Sequence, residues 1–131
     1  MALAPIIMIH GAFCGGWTFD TFRKPFEAAG HTVLTPNLPG HAPGDAVAGL
    51  SVADYALAIA KLCAEQETPP VLIGHSMGAL HSWCLAADQP DLVSALVLED
   101  MAPDFVGRTT GAWEPWLLFM LQAVAETSRW T

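Results

Sequence analysis

Residues 69–80, PPVLIGHSMGAL, constrain the fold more than any other stretch of the chain. Pro69 and Pro70 close the preceding segment, Val71, Leu72 and Ile73 form a short apolar run, and Ser76 then stands between Gly74 and Gly78. An apolar run of this length bounded by turn residues reads as a buried strand. The stretch that follows, ALHSWCLAADQ, has a helical pattern and stops at Pro90, because proline cannot continue a helix. At ~7% each for glycine and serine, G-x-S-x-G arises in about one random chain in twenty of this length. Requiring a strand before it and a helix after it makes coincidence several times rarer.

The rest of the chain repeats the same alternation. PIIMI (residues 5–9) is strand-like, and WTFDTFRKPFEAAG places Trp17, Phe19, Phe22 and Phe26 on one helical stripe closed by Gly30. HTVLTP (31–36) predicts a second strand, followed by the loop NLPGHAPGDAVAG. Ser51 is positioned to cap SVADYALAIAKLCAEQE, which carries Val52, Tyr55, Ile59 and Leu62 at helical spacing. VSALVLED (93–100) predicts a fourth strand, and AWEPWLLFMLQAVAETSRW a last helix. Strand and helix alternate four times, which predicts an α/β fold with a parallel sheet, flanking helices and right-handed crossovers. Chemistry in such sheets sits at the carboxyl ends of the strands, and His10, Pro36, Ser76 and Asp100 all fall at or just beyond those ends.

Composition narrows the function classes. The 131 residues suffice for one domain with a real core. With 53% hydrophobic and 14% charged residues and a mean hydropathy of +0.39, the sheet is expected to be buried on both faces or to leave an apolar face exposed. A net charge of −8, from 13 acidic against five basic residues, repels polyanions and argues against nucleic acid or acidic membranes as partners. Cys14, Cys63 and Cys84 show no C-x-x-C spacing and leave one odd, which suits a reducing compartment. MALAPIIMIHG lacks a basic leader region and reads as a first strand, and WLLFMLQAVA is too short to span a bilayer. The expectation is a cytoplasmic protein with no membrane partner. No His/Cys/Asp spacing suggests a metal, and no G-x-G-x-x-G or P-loop suggests a nucleotide, so no cofactor is expected.

G-x-S-x-G carries chemistry because the serine occupies a strained strand-to-helix turn. The glycines relieve backbone clashes, the turn lifts the hydroxyl above the sheet, and the next backbone N–H and the helix start point at the same spot. Ser76 is therefore the candidate nucleophile.

On these residues the chain resembles the α/β-hydrolase superfamily over nearly its whole length. MIHGAFCGGW is similar to the family's H-G-x oxyanion loop after its third strand, HTVLTPNLPGHA to the fourth strand and its loop, LIGHSMGAL to the fifth-strand elbow, and LVLEDMAP to the sixth strand. The HGAxxGGW and GHSMG wording is closest to the small-esterase branch that includes plant methyl esterases and hydroxynitrile lyases. The resemblance implies hydrolysis of a small-molecule carboxylic ester, without cofactor, by Ser76. The oxyanion donors would be the backbone N–H groups of Met77 and Ala12, with Phe13 as the neighbouring alternative and a substrate contact. Asp100 stands where some members place the triad acid; its other reading is a strand-end carboxylate bonded to its loop, and Asp104 is a weaker candidate. Trp113 and Trp116, in what the resemblance implies is the first cap helix, would line an acyl pocket or else belong to a core.

The departure lies in the base. The family's order is Ser, acid, His, with the histidine after the eighth strand, yet the only histidine after Ser76 is His81, five residues on. His81 is expected in a helix running away from the pocket, on the surface or in the core. His10 reads as a structural histidine of the oxyanion loop in preference to a base, His75 as projecting away from its neighbour's hydroxyl, and His41 as able to approach the pocket rim. The resemblance thus covers residues 1–105 as the N-terminal part of a hydrolase core and 106–131 as the start of a cap, truncated after the sixth family strand. Three functional readings stay open: an esterase impaired by the missing histidine, a non-catalytic hydrolase-fold interaction module, and a cyanohydrin-cleaving relative. A partner chain supplying the histidine, and self-association through an uncovered sheet edge, are further expectations.

Overall fold

A computed structural model describes residues 3–100 of the chain. It contains strand β1 (Ile6–Ile9), a 3₁₀ turn (Gly16–Phe19), helix α1 (Lys24–Ala28), strand β2 (Val33–Leu34), helix α2 (Val52–Ala64), strand β3 (Val71–His75), helix α3 (Met77–Asp88), a second 3₁₀ turn (Pro90–Leu92) and strand β4 (Ala95–Glu99). The four strands form one sheet in the order β2-β1-β3-β4, and every neighbouring pair is parallel. The expected last helix, the boundary at residue 105, Asp104, Trp113 and Trp116 lie outside the described residues.

The two central strands are apolar because both their faces are covered. Side chains alternate across a strand, so Ile7, Ile9 and Leu72 pack with Ile59, Ala60 and Cys63 of α2 and Leu85 of α3. Ile6, Met8 and Ile73 pack on the other side with Phe19 and Val33, and with half-buried Phe26 against them. Each fully buried aliphatic side chain contributes roughly 1.5–3 kcal/mol, and these two layers account for the high apolar content. Helix α2 starts where Ser51 was expected to cap it. The Ser51 Oγ accepts from the Asp54 N–H at 3.3 Å while the Asp54 Oδ2 accepts from the Ser51 N–H at 2.7 Å. The Ser51 N–H, together with the Ser51 hydroxyl donating to the same Oδ2 at 2.9 Å, holds the Asp54 carboxyl below its usual pKa.

Two elements are shorter than the sequence predicts. The aromatic stripe from Trp17 to Phe26 is not one helix: a 3₁₀ turn ends at Phe19 and α1 begins only at Lys24. Pro25, near the start of α1, has no N–H to give and its ring crowds the carbonyl four residues back, so a helix cannot run through it at full regularity. The predicted strand 31–36 contributes only Val33 and Leu34 to the sheet, at its edge. There the Arg23 guanidinium donates to the Val33 carbonyl and the Thr35 Oγ1, each at 2.8 Å, and its Nε to Glu27 at 2.7 Å.

The β3–α3 junction is set by two glycines. A Cβ on Gly74 would lie 2.6 Å from the Ala79 Cα and 2.7 Å from its N, and a Cβ on Gly78 would collide with the carbonyls of Ile9 and His10. Both obstacles are backbone, which cannot rotate out of the way. Gly78→Ala is therefore expected to destabilise the fold by about 3 kcal/mol or to prevent folding, in line with overpacking of a rigid site. Urea unfolding followed by circular dichroism checks this, and a midpoint equal to that of the unsubstituted chain would contradict the packing described.

Candidate active site

The turn that joins β3 to α3 puts Ser76 at φ 54°, ψ −122°, a conformation that costs a non-glycine residue about 1–3 kcal/mol and persists only where the surroundings enforce it. Here the Ser76 N–H donates to the Glu99 carbonyl at 2.9 Å, tying the turn to the end of β4. On the other side Gly11 approaches so closely that a Cβ there would sit 3.1 Å from the Ser76 Cβ and 3.6 Å from its Oγ. The sequence places glycine where the loop after β1 must pass the hydroxyl.

Met77 opens α3, and Met77, Gly11 and Ala12 line one cavity of about 210 Å³. Ser76, Ala12 and Met77 are thus brought to one end of β1 and β3. Phe13 has φ 60°, is 57% exposed and faces a different cavity, shared with Cys14, Trp17 and Asn37. Asp100, with φ 61°, is exposed one residue beyond β4, next to the Glu99 carbonyl that holds Ser76.

The far wall of the 210 Å³ cavity is built by His10, His41, Tyr55 and His81, with Leu38. Their rings follow one another: His10 to His41 at 5.0 Å, His41 to Tyr55 at 5.7 Å and Tyr55 to His81 at 5.1 Å between centroids. His10 has the structural role expected of it. Its Nδ1 bonds the Gly11 carbonyl at 2.8 Å and its Nε2 accepts the Leu38 N–H at 2.9 Å, which defines a neutral ring with the proton on Nδ1. Burial holds its pKa below the ordinary value against the opposing Gly11 bond, and His41 adds to the lowering.

His81 departs from expectation. It is 3% exposed and lines the cavity it was expected to leave, because residues four apart share a helix face and Met77 is at the cavity. The Met77–His81 spacing was the available signal; Tyr55, read only as part of a helical stripe, gave none. Burial first, then the His10 and His41 charges, lower the His81 pKa to about 4.

The remaining histidines are engaged elsewhere. The His31 Nδ1 is 2.9 Å from the Ala4 carbonyl, the His41 Nδ1 is 2.9 Å from the Pro39 carbonyl, and the His75 Nδ1 is 3.9 Å from Glu99 Oε2. No histidine hydrogen-bonds the Ser76 hydroxyl among the described residues. Cys63 offers no rival nucleophile, since burial pushes its pKa up to about 11. Among the described residues no three His, Cys, Asp or Glu side chains could hold a metal, and no helix is long and apolar enough to cross a membrane.

A strained serine between close-packed glycines, at the carboxyl end of a central parallel strand, is the arrangement of one large enzyme class. The family model described as "Alpha/beta hydrolase family" matches residues 6–131, and the chain belongs to that family. It is 39% identical over 100 residues to the pyrethroid hydrolase of Sphingobium wenxiniae, covering 74% of this chain and 35% of that protein. It is 31% identical over 112 residues to the sn-1-specific diacylglycerol lipase ABHD11 of Mus musculus, covering 84% and 36%. The crystal structure of a pyrethroid hydrolase from Sphingobium faniae superposes with a TM-score of 0.66 at 35% identity, covering 72% of this chain and 38% of that one. The chain therefore spans about a third of the length of the curated relatives it matches.

The buried imidazoles make stability acid-sensitive. The unfolded chain protonates His81 near pH 6.5, whereas the folded chain does so only near 4, so U binds more protons between these values. The contribution of neutral His81 is complete above pH 6.5 and is lost as pH falls toward 4, by up to about 3 kcal/mol. His10 acts in the same direction. Urea midpoints at pH 7.5 and 4.5 are expected to differ accordingly, with a smaller difference in His81→Phe; equal slopes in the two proteins would contradict it.

Proposed function

We propose that Ser76 is the nucleophile of carboxylic-ester hydrolysis on a small-molecule substrate. The observation that carries this reading is the Ser76 backbone at φ 54°, ψ −122°, held against Gly11 beside the cavity that Ala12 and Met77 line. The Ser76 Oγ attacks the ester carbonyl and gives its proton to a base, while the Ala12 and Met77 amides, or the Phe13 amide in place of the former, receive the oxyanion. Collapse expels the alcohol with that proton, and water then releases the acid from the acyl-enzyme. Asp100 serves as the carboxylate that orients the base, a role supported by its position beside the Glu99 carbonyl that binds the Ser76 turn. The relatives named above, a pyrethroid hydrolase and a diacylglycerol lipase, support ester substrates as the class.

The base is supplied from outside the five histidines of this chain, by a partner chain or by further sequence of a longer protein. This part rests on the nitrogen contacts of His10, His31, His41 and His75 with other groups and on the burial of His81, whose Nδ1 is sealed and bonds nothing, the Ser76 hydroxyl included. The same observation favours a second reading, a hydrolase-fold binding module without catalysis. Three cysteines free of disulfides support the cytoplasmic assignment.

Exposure of the full chain to a fluorophosphonate, with intact mass as readout, separates the two readings. One adduct that is absent in Ser76→Ala, formed slowly because the chain carries no base for Ser76, is expected for the nucleophile; a cooperatively folded sample that stays unlabelled on prolonged exposure favours the binding module.

Self-association belongs to the same proposal. Strand β4 pairs only with β3 among the described residues, and Val97 is 48% exposed on it, which leaves a backbone edge able to pair with a second copy. Light scattering between about 1 and 100 μM is expected to show a concentration-dependent dimer, and a constant monomer mass would end that part of the proposal.

A further inference from the structure

Two large aromatic rings stand in water at one cavity, and the backbone holds them there. The cavity, of about 510 Å³, lies between the loop after β1 and the loop after β2, within the size range of small-molecule sites. Phe13, 57% exposed at φ 60°, occupies the left-handed region that a bulky residue rarely enters. Trp17 is 66% exposed and stays out of the core that Phe19 and Phe26 of the same stripe join. Its ring is placed by the glycine beside it. A Cβ on Gly15 would lie 2.8 Å from the Trp17 Cδ1 and 2.9 Å from both the Trp17 Nε1 and the Asn37 Oδ1, so the indole edge and the Asn37 amide rest on one spot of bare backbone. The Thr18 hydroxyl donates to the Gly15 carbonyl at 2.7 Å and the Gly16 N–H to the Asn37 Oδ1 at 2.8 Å, which fixes the turn that carries Trp17. Strained backbone and uncovered rings both oppose folding. Their meeting at one cavity marks a surface shaped for a ligand.

The polar groups of the lining select that ligand. Asp20, whose N–H donates to the Trp17 carbonyl at 3.1 Å, contributes a carboxylate that accepts. Asn37 has its Oδ1 committed to Gly16 and offers its Nδ2 as donor, and the Thr35 Oγ1 accepts from Arg23, which leaves its hydroxyl hydrogen to donate. Among the described residues no Lys or Arg lines the cavity, and neighbouring Arg23 is engaged by Thr35, Val33 and Glu27. An anion would face Asp20, an organic cation would meet the Asn37 and Thr35 donors, and a plain hydrocarbon would leave all three polar groups unpaired. A sugar ring answers each of them, because its hydroxyls both donate and accept while its C–H face is apolar. We propose that this cavity binds a neutral pyranose, stacked by its C–H face on Trp17 beside Phe13 and hydrogen-bonded through its hydroxyls to Asp20, Asn37 and Thr35. The site makes no use of the Ser76 hydroxyl and stands whether or not that serine is a nucleophile.

The test titrates the full chain with the methyl pyranosides of glucose, galactose and mannose, and with choline and glucuronate as cationic and anionic comparisons. Binding is read from the Trp17 indole N–H signal, assigned by its absence in Trp17→Phe. At least one glycoside is expected to move that signal with a Kd of about 1–10 mM, and choline and glucuronate to bind about tenfold more weakly. Asp20→Ala and Trp17→Ala are each expected to weaken the glycoside about tenfold, the worth of a charged hydrogen bond or an aromatic contact. Trp17→Phe keeps a stacking face and should stay within about threefold; for the Trp17 variants the readout is saturation transfer to the sugar ring protons. A still Trp17 signal with all three glycosides at about 50 mM, a stronger response to choline or glucuronate, or unchanged affinity in Asp20→Ala each overturn the proposal. These three results come from chains that keep the indole, so they do not depend on how well Trp17→Ala folds.

Discussion

The contact between the backbone of Gly78 and the carbonyls of Ile9 and His10 is the constraint on which the rest of the structure depends. It brings the first turn of α3 against the end of β1, a distance no side chain permits. That approach leaves β3 no room for a gradual exit, so the chain must reverse through Ser76 in a conformation that only its neighbours make tolerable. The loop after β1 is pressed onto the same point, with Gly11 beside the serine. Removal of one Cβ therefore positions a hydroxyl, a helix start and a loop amide together. The strain at Ser76 is held by long-range backbone contacts with β1 and β4, and not by its local sequence.

Behind this junction the cavity wall holds two imidazoles, His10 and His81, whose charged forms burial disfavours. His10 spends both ring nitrogens on backbone, bridging the Gly11 carbonyl and the Leu38 amide. The loop after β1 and the loop after β2 are thereby joined through one neutral ring. His41 and Tyr55 continue the line of rings to His81. A proton added to His81 must enter a desolvated region and lie near His10 and His41, which is the physical origin of its lowered pKa.

Much of the architecture was legible because its signals are local. The runs around Ile7, Leu72 and Leu96 become parallel strands, Ser51 and Asp54 form their reciprocal cap, and glycine spacing around Ser76 marks the turn. The aromatic stripe misled because Phe19 and Phe26 pack on the same side of the sheet without belonging to one helix; periodicity registers the common face and not the break at Pro25. His81 escaped for a different reason. Its sequence position gives its helix face, but the neighbours that make this face a cavity wall come from α2 and from the loop after β2, more than twenty residues away. Pairing across such distances leaves no mark on a single sequence.

The Arg23 contacts have a consequence for how copies of this sheet can meet. Residue alternation turns the Val33 carbonyl away from β1, and the guanidinium already occupies it. With that edge sealed by a cation and β4 the unsealed one among the described residues, a head-to-tail stack of sheets lacks one of its two required surfaces. Edge pairing is left with β4 against β4, an isologous contact that uses itself up in forming. One arginine at the start of α1, laid across an edge strand, thus converts a surface that could nucleate an open filament into one whose growth ends at a closed pair.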